Sequence, residues 1–277
     1  TADEPGSIRR TGAFATLSIA NFRWLLLGTI FANGAQWIQQ VTLSWLVYDL
    51  TASGALLGSL SLVGAVASLG LTPLAGVAID RLPRRALMLS TSAWLFLVSA
   101  TLGLILLGGQ TALWPLFGFI FLSSLAQAID IPMRQTVVFV LTPRHLASSA
   151  MALIQTGWAM MRTLGPTLAG FLILWLGPAG NFLIQAGAYA LIGLAFMRIR
   201  FPVEQRERSS GSALTNLSES VRFVMADPTT RAFLLIGWLL PLFIIPIFAT
   251  LPPIYAKDVF AGGPQVLGAL LSAVWGG

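Results

Sequence analysis

The chain has 277 residues, 56% of them hydrophobic and only 9% charged, with a net charge of +6 and no cysteine. A soluble domain carries about 25% charged residues, so a water-facing surface cannot be assembled from this composition. Disulfides, thiolate metal sites and cysteine nucleophiles are excluded at the same step.

The charges are crowded as well as few: none falls in 24–48, 50–79, 86–129, 163–197, 232–256 or 259–277. Each interval can hold the roughly 20 apolar residues with which a helix spans a bilayer core. Composition therefore predicts an all-α, polytopic transmembrane bundle whose first partner is the lipid bilayer. A membrane β-barrel would need short segments of alternating polarity, and these runs are apolar on every face. In chain order, helices are expected at 24–48, 54–79, 86–108, 112–131, 146–176, 180–197 and 232–256, with an eighth beginning near 265. The first run, about 25 residues, is too long for the core of a secretory signal and is expected to remain as an anchor.

Loops between these segments alternate sides, and all sixteen basic residues except Lys257 and Arg162 then fall on one side. That asymmetry predicts a cytoplasmic N-terminus and a cytoplasmic 198–231 segment. The basic surplus reports topology, so no nucleic-acid partner is implied. The single histidine, His145, has no second histidine with which to hold a metal, and neither a metal nor a cofactor is expected. The chain offers no phosphate-binding glycine loop and no nucleophile system, so it is not read as an enzyme, and ATP is not its energy source.

The domain reading divides the chain into a six-helix half at 1–197, a cytoplasmic linker at 198–231 and the start of a second half at 232–277. Within the linker, Leu214, Leu217, Val221, Val224 and Met225 recur at helical spacing, which predicts a short amphipathic helix stopped at Asp227-Pro228. A faint repeat supports the division. Tyr48-Asp49-Leu50-Thr51-Ala52-Ser53-Gly54 and the following Leu57-Gly58-Ser59-Leu60 correspond to Lys257-Asp258-Val259-Phe260-Ala261-Gly262-Gly263 and Leu267-Gly268-Ala269-Leu270. Helices seven and eight thus restart the pattern of helices one and two. If so, the chain is expected to be a truncated one, ending inside its eighth helix.

The most specific motif lies between helices two and three: Gly76-Val77-Ala78-Ile79-Asp80-Arg81-Leu82-Pro83-Arg84-Arg85. It resembles the cytoplasmic signature G-x-x-x-D-R-x-x-R-R of the major facilitator superfamily, with every fixed position matched. Asn21-Phe22-Arg23, Trp45-Leu46-Val47-Tyr48-Asp49-Leu50-Thr51, Asp130-Ile131-Pro132-Met133-Arg134-Gln135 and Arg162-Thr163-Leu164-Gly165-Pro166-Thr167-Leu168-Ala169-Gly170 resemble a bacterial subgroup that includes the enterobactin exporter. The resemblance implies a conformational latch in which Gly76, Asp80, Arg81, Arg84 and Arg85 lock against the other half. Asp130 and Arg134, four residues apart at the cytoplasmic end of helix four, are expected to join that cluster. It also implies that Gly165, Pro166 and Gly170 form the helix-packing motif of proton-coupled antiporters.

Two features point to a cavity. Arg162 lies about 16 residues into helix five, roughly 24 Å along its axis. An arginine at that depth costs about 2.5–3.5 kcal/mol on insertion scales, so it must face the bundle interior. Asn33, Gln36, Gln40 and Ser44 share one stripe of helix one with Trp37 alongside, and amides cannot stay unpaired in hydrocarbon. Gln127 and Gln155 offer similar inward groups, whereas Asn181 and Gln185 are read as bonds between helices. The expected substrate cavity is therefore Asn33, Gln36, Trp37, Gln40, Gln127, Gln155 and Arg162. The functional expectation is a monomeric secondary transporter of the bacterial inner membrane, exporting a small amphipathic or siderophore-like molecule against protons. The alternatives are an importer or facilitator of a polar metabolite and, in another class, a non-transporting scaffold or receptor.

Overall fold

A chain buried in lipid must satisfy its backbone within each segment, which favours helices. The computed structural model describes residues 15–201, 222, 224–243 and 245–276, and among them every regular element is helical. In order these are α1 (Ala20–Thr51), α2 (Gly54–Arg81), α3 (Arg84–Leu107), α4 (Trp114–Leu141), α5 (Ala147–Arg198), α6 (Pro228–Phe243), α7 (Ile245–Ile254) and α8 (Pro264–Gly276). Short 3₁₀ turns lie at Ala15–Ser18 and Arg144–Leu146, and a π turn at Tyr255–Val259. Among the described residues, Gly54–Thr72, Arg84–Leu107, Trp114–Leu141 and Arg144–Arg198 are long and apolar enough to cross a membrane. α1 is 32 residues long yet falls outside that group, because Asn33, Gln36, Gln39 and Gln40 interrupt its apolar run.

α5 holds the fifth and sixth expected segments. Gly177, at φ 69° and ψ 175°, breaks the helical path, a conformation that costs glycine little. Its first arm, residues 147–176, runs parallel to α1: Gly157 faces Ile30, Gly34 faces Met161 and Gly165 faces Trp37. The second arm, 178–198, runs back along α1, with Asn181 bonded to Thr42, Gln185 to Gln39 and Phe196 against Gly28. α1 is thus sandwiched by both arms. One apolar cluster around Phe22, Leu25, Met88, Val137 and Phe196 fills one end of the bundle, and another around Leu43, Val47, Phe119 and Phe182 fills the other.

Several boundaries differ from expectation. α4 continues ten residues past Ile131 to Leu141 and carries Pro132 inside it. The helix runs through the proline although Pro132 has no N–H for the Ala128 carbonyl, and in the next turn the Thr136 hydroxyl bonds the carbonyls of Pro132 and Met133. Asp130 and Arg134 consequently sit within a spanning helix and not at its cytoplasmic end. The seventh segment is helical on both sides of residue 244, which lies outside the described residues, with Pro252 and Pro253 close to the π turn that ends it. Most of the predicted amphipathic helix lies outside the described residues, as do Arg9, Arg10, Arg206 and Arg208; Arg222 and residues 224–226 are helical. Asp227 interrupts that helix and caps the next, accepting from the Thr229 and Thr230 amides at 3.2 and 3.0 Å and from the Thr230 hydroxyl.

The first arm of α5 and α8 approach until their backbones touch. A Cβ on Gly170 would stand 2.5 Å from the Pro264 carbonyl oxygen, and one on Gly268 would stand 2.4 Å from that of Pro166. The Thr167 hydroxyl bonds that of Ser272 at 2.8 Å beside this contact. A third apolar cluster, built from Val41, Ala169, Ile173, Ala256, Leu267 and Leu271, seals the junction.

Gly170→Ala is expected to cost about 1–3 kcal/mol, because both partner atoms are backbone and cannot turn away. Thermal unfolding of the purified protein should show it, whereas Gly187→Ala, whose Cβ meets nothing within 4 Å, should leave the transition in place. The Thr230 and Thr229 bonds hold the Asp227 carboxyl below the usual carboxylate range. Its capping is therefore complete above the ordinary aspartate value and is lost as pH falls through the lowered one. Amide exchange at Thr229 and Thr230, corrected for intrinsic pH dependence, should rise across that acid window and should already be fast in Asp227→Ala.

Candidate functional site

The amides of α1 divide between two destinations. Asn33, Gln36 and Gln40, with Trp37, face the first arm of α5, where Gln155, Trp158 and Arg162 lie at i, i+3 and i+7. Together with Ala159 these residues line a cavity of about 290 Å³, at the lower end of the size range of small-molecule sites. Trp158 and Ala159 were not anticipated, although the spacing of Trp158 between Gln155 and Arg162 was a signal for it. Gln39, one residue off the stripe, turns instead into the protein and is 6% exposed. Its side-chain oxygen accepts from Gln185 at 3.0 Å and from Gln127 at 3.4 Å, and its nitrogen donates to Ser123 at 3.2 Å.

Gln127 is therefore spent on Gln39 and does not line the cavity, which corrects its expected place. The other six expected cavity residues line one space. Gly165 brings Trp37 against the first arm, since a Cβ there would meet the indole at 2.8 Å. Pro166 and Gly170 continue the same face toward α8. Trp275 of α8 packs on the Trp37 indole, 6.4 Å centroid to centroid.

Charge in the cavity is one-sided. Among the described residues Arg162 has no hydrogen-bond or carboxylate partner, and no acidic side chain lines the space. The Trp158 indole N–H likewise has no acceptor among them. Asn33, Gln36 and Trp158 also line a second space of about 10 Å³ that reaches Arg134 and Gln135, room for about one water. Arg134 is ion-paired with Asp130, both under 10% exposed, and Asp130 also accepts from the Thr91 hydroxyl at 3.2 Å.

The seven residues expected to form one latch thus fall into two groups. Asp130 and Arg134 are buried behind the cavity, tied to α3 through Thr91. Asp80, Arg81 and Arg85 are exposed where α2 meets α3, beside the half-buried Arg84. Arg85 donates to the Met197 carbonyl at 3.1 Å, fastening α3 to the end of α5. Gly76 was expected to permit close helix approach, but a Cβ there would meet nothing within 4 Å, so nothing in this conformation requires it to be small. His145 lies exposed in its 3₁₀ turn.

No curated protein matches the chain. A crystal structure of a bacterial homologue of the human lysosomal transporter Spinster, in an inward-facing and unoccupied conformation, superposes with a TM-score of 0.67 at 14% identity. The match covers 92% of this chain and 60% of that one, and it establishes the fold of a major facilitator transporter. The family model described as transmembrane secretion effector matches residues 11–277. Spanning helices, fold and family model agree that this chain belongs to the transmembrane secretion effector family of the major facilitator superfamily, a class of membrane-embedded transporters and not of enzymes.

Proposed function

We propose that the chain forms the first half and the opening of the second half of a proton-driven exporter, whose cargo is a small amphipathic, siderophore-like molecule carrying an acidic group. The observation that carries this reading is the cavity of α1 and the first arm of α5. Two indoles and four amides suit a ligand with both apolar and polar faces, and Arg162 supplies a positive charge without a counter-charge among the described residues. A guanidinium at bilayer depth is costly unless it is paired, and an anionic cargo pairs it during each transport cycle. The resemblance to exporters supports the outward direction, and the buried carboxylate of Asp130, paired with Arg134, is the group offered to the coupling proton. The monomer works in the bacterial inner membrane, with the α2–α3 turn, the N-terminus and the 198–231 linker on the cytoplasmic side. There Gly76, Asp80, Arg81, Arg84 and Arg85 act as the latch between 1–197 and the half that begins at 232.

The cavity is tested by Arg162→Gln in the full-length protein. Efflux of an acidic substrate should fall about tenfold or more, the loss of roughly 1.4 kcal/mol or more of differential binding, while that of its neutral ester changes less. Unchanged transport and affinity would remove the cavity role. Asp80→Asn tests the latch: membrane insertion should be normal and transport abolished, and normal transport by that variant would eliminate it.

A further inference from the structure

The repeat noted in the sequence has a counterpart in the backbone. Ala52 follows directly on α1 and Ala261 lies two residues beyond the π turn that follows α7, and both alanines are left-handed at φ 47°, the two non-glycine residues with positive φ among those described. Alanine adopts that conformation only at a cost, so the same strained turn closes the first helix of each half. In each case the turn is preceded by two polar residues, Tyr48-Asp49 in one and Lys257-Asp258 in the other.

These four side chains meet. The Tyr48 hydroxyl donates to the Asp258 carboxylate, and the Lys257 ammonium pairs with the Asp49 carboxylate at 2.7 Å, also reaching the Asp49 carbonyl at 3.4 Å. In repeat terms, the first residue of one pair holds the second residue of the other, and the converse holds as well. That reciprocity is what a two-fold axis between the halves produces when one patch meets its own counterpart. The repeat has kept the pairing while changing its chemistry: tyrosine to carboxylate on one side of the axis, lysine to carboxylate on the other.

We infer that Tyr48, Asp49, Lys257 and Asp258 form a reciprocal clasp that holds the two halves together at the end of the bundle opposite the α2–α3 turn, and that it must open each time the cavity changes sides. The inference rests on the transporter reading, because only a protein with alternating access needs the clasp to part. Its components suit that task. Tyr48 is buried and anchors the clasp, whereas the Lys257 and Asp49 side chains remain 35% and 48% exposed, and an ion pair that wet contributes little. Two weak bonds released together can bias a closed state without trapping it. Directly beneath them, the close approach of Gly170 to Pro264 and of Gly268 to Pro166 supplies packing that also lies between the halves.

The test uses the full-length protein in membrane vesicles, with any cysteine outside these residues replaced by serine. Asp49→Cys with Lys257→Cys should cross-link on oxidation, far more than Asp49→Cys with Phe260→Cys. The linked protein should lose transport, recover it on reduction, and shield a third cysteine at Gln40→Cys from a membrane-impermeant maleimide added on the side of Tyr48. Tyr48→Phe with Lys257→Met should raise labelling at Gln40→Cys roughly five- to tenfold, and the swapped pair Asp49→Lys with Lys257→Asp should lower it again, which a merely structural role would not do. Cross-linked protein that transports at the unlinked rate, or labelling unaffected by the double variant, overturns the clasp. Cross-linking and labelling need no substrate, so a protein that moves no compound would sink the transport reading while leaving this outcome measurable.

Discussion

The rest of the structure depends on one constraint: α1 carries more amides than a helix in lipid can leave unsatisfied. Asn33, Gln36, Gln39 and Gln40 occupy two faces of the same helix, and hydrocarbon offers no partner to either. One face is answered by protein. Gln39 binds Gln127, Gln185 and Ser123 and thereby ties α1, α4 and the second arm of α5 into one polar knot. The other face is answered by a water-sized or ligand-sized space, because Gln155 and Arg162 across from it are also polar. Placing α1 between the two arms of α5 satisfies both at once, and that placement is what makes a cavity.

Close approach is the second requirement, and glycine supplies it where backbone meets backbone or ring. Gly165 admits the Trp37 indole, and Gly170 and Gly268 admit the carbonyls of the opposite helix. Lipid offers helices no hydrophobic incentive to associate, so contact of this kind and a few interhelical hydrogen bonds must hold the junction. Thr167 with Ser272 and Asn181 with Thr42 provide such bonds beside the glycine contacts. The outer surface of the bundle, with Leu62, Leu69, Leu97, Leu104, Trp175 and Leu194 exposed, is what a lipid-facing belt requires and a water-facing one forbids.

Burial also separates residues that the motif groups together. Asp130 and Arg134 resemble the charged cluster of the α2–α3 turn in kind, yet their environments assign them differently. A buried pair that loses one partner leaves a costly charge behind, so burial holds Asp130 and Arg134 to each other. Asp80 and Arg81 are exposed, where single pairs contribute little and where contact with another segment can form and break at small cost.

Charge-free intervals were enough to establish a helical membrane bundle, because insertion energetics act on sequence directly, and the positions read from the sequence include six of the eight residues that line the space between α1 and α5. The motif around Asp80 and the Tyr48 and Lys257 repeats were equally visible as patterns. What sequence could not decide was which neighbour each polar group meets. Gln39 and Gln40 are adjacent and chemically identical, and only the packing of α4 and α5 sends one inward and the other to the cavity. Pro132 reads as a helix end, and only packing in the surrounding bundle lets α4 run on to Leu141, carrying Asp130 and Arg134 into the interior. The reciprocity of Tyr48, Asp49, Lys257 and Asp258 depends on the relative position of two helices far apart in the chain, a relation that exists only once the bundle has closed.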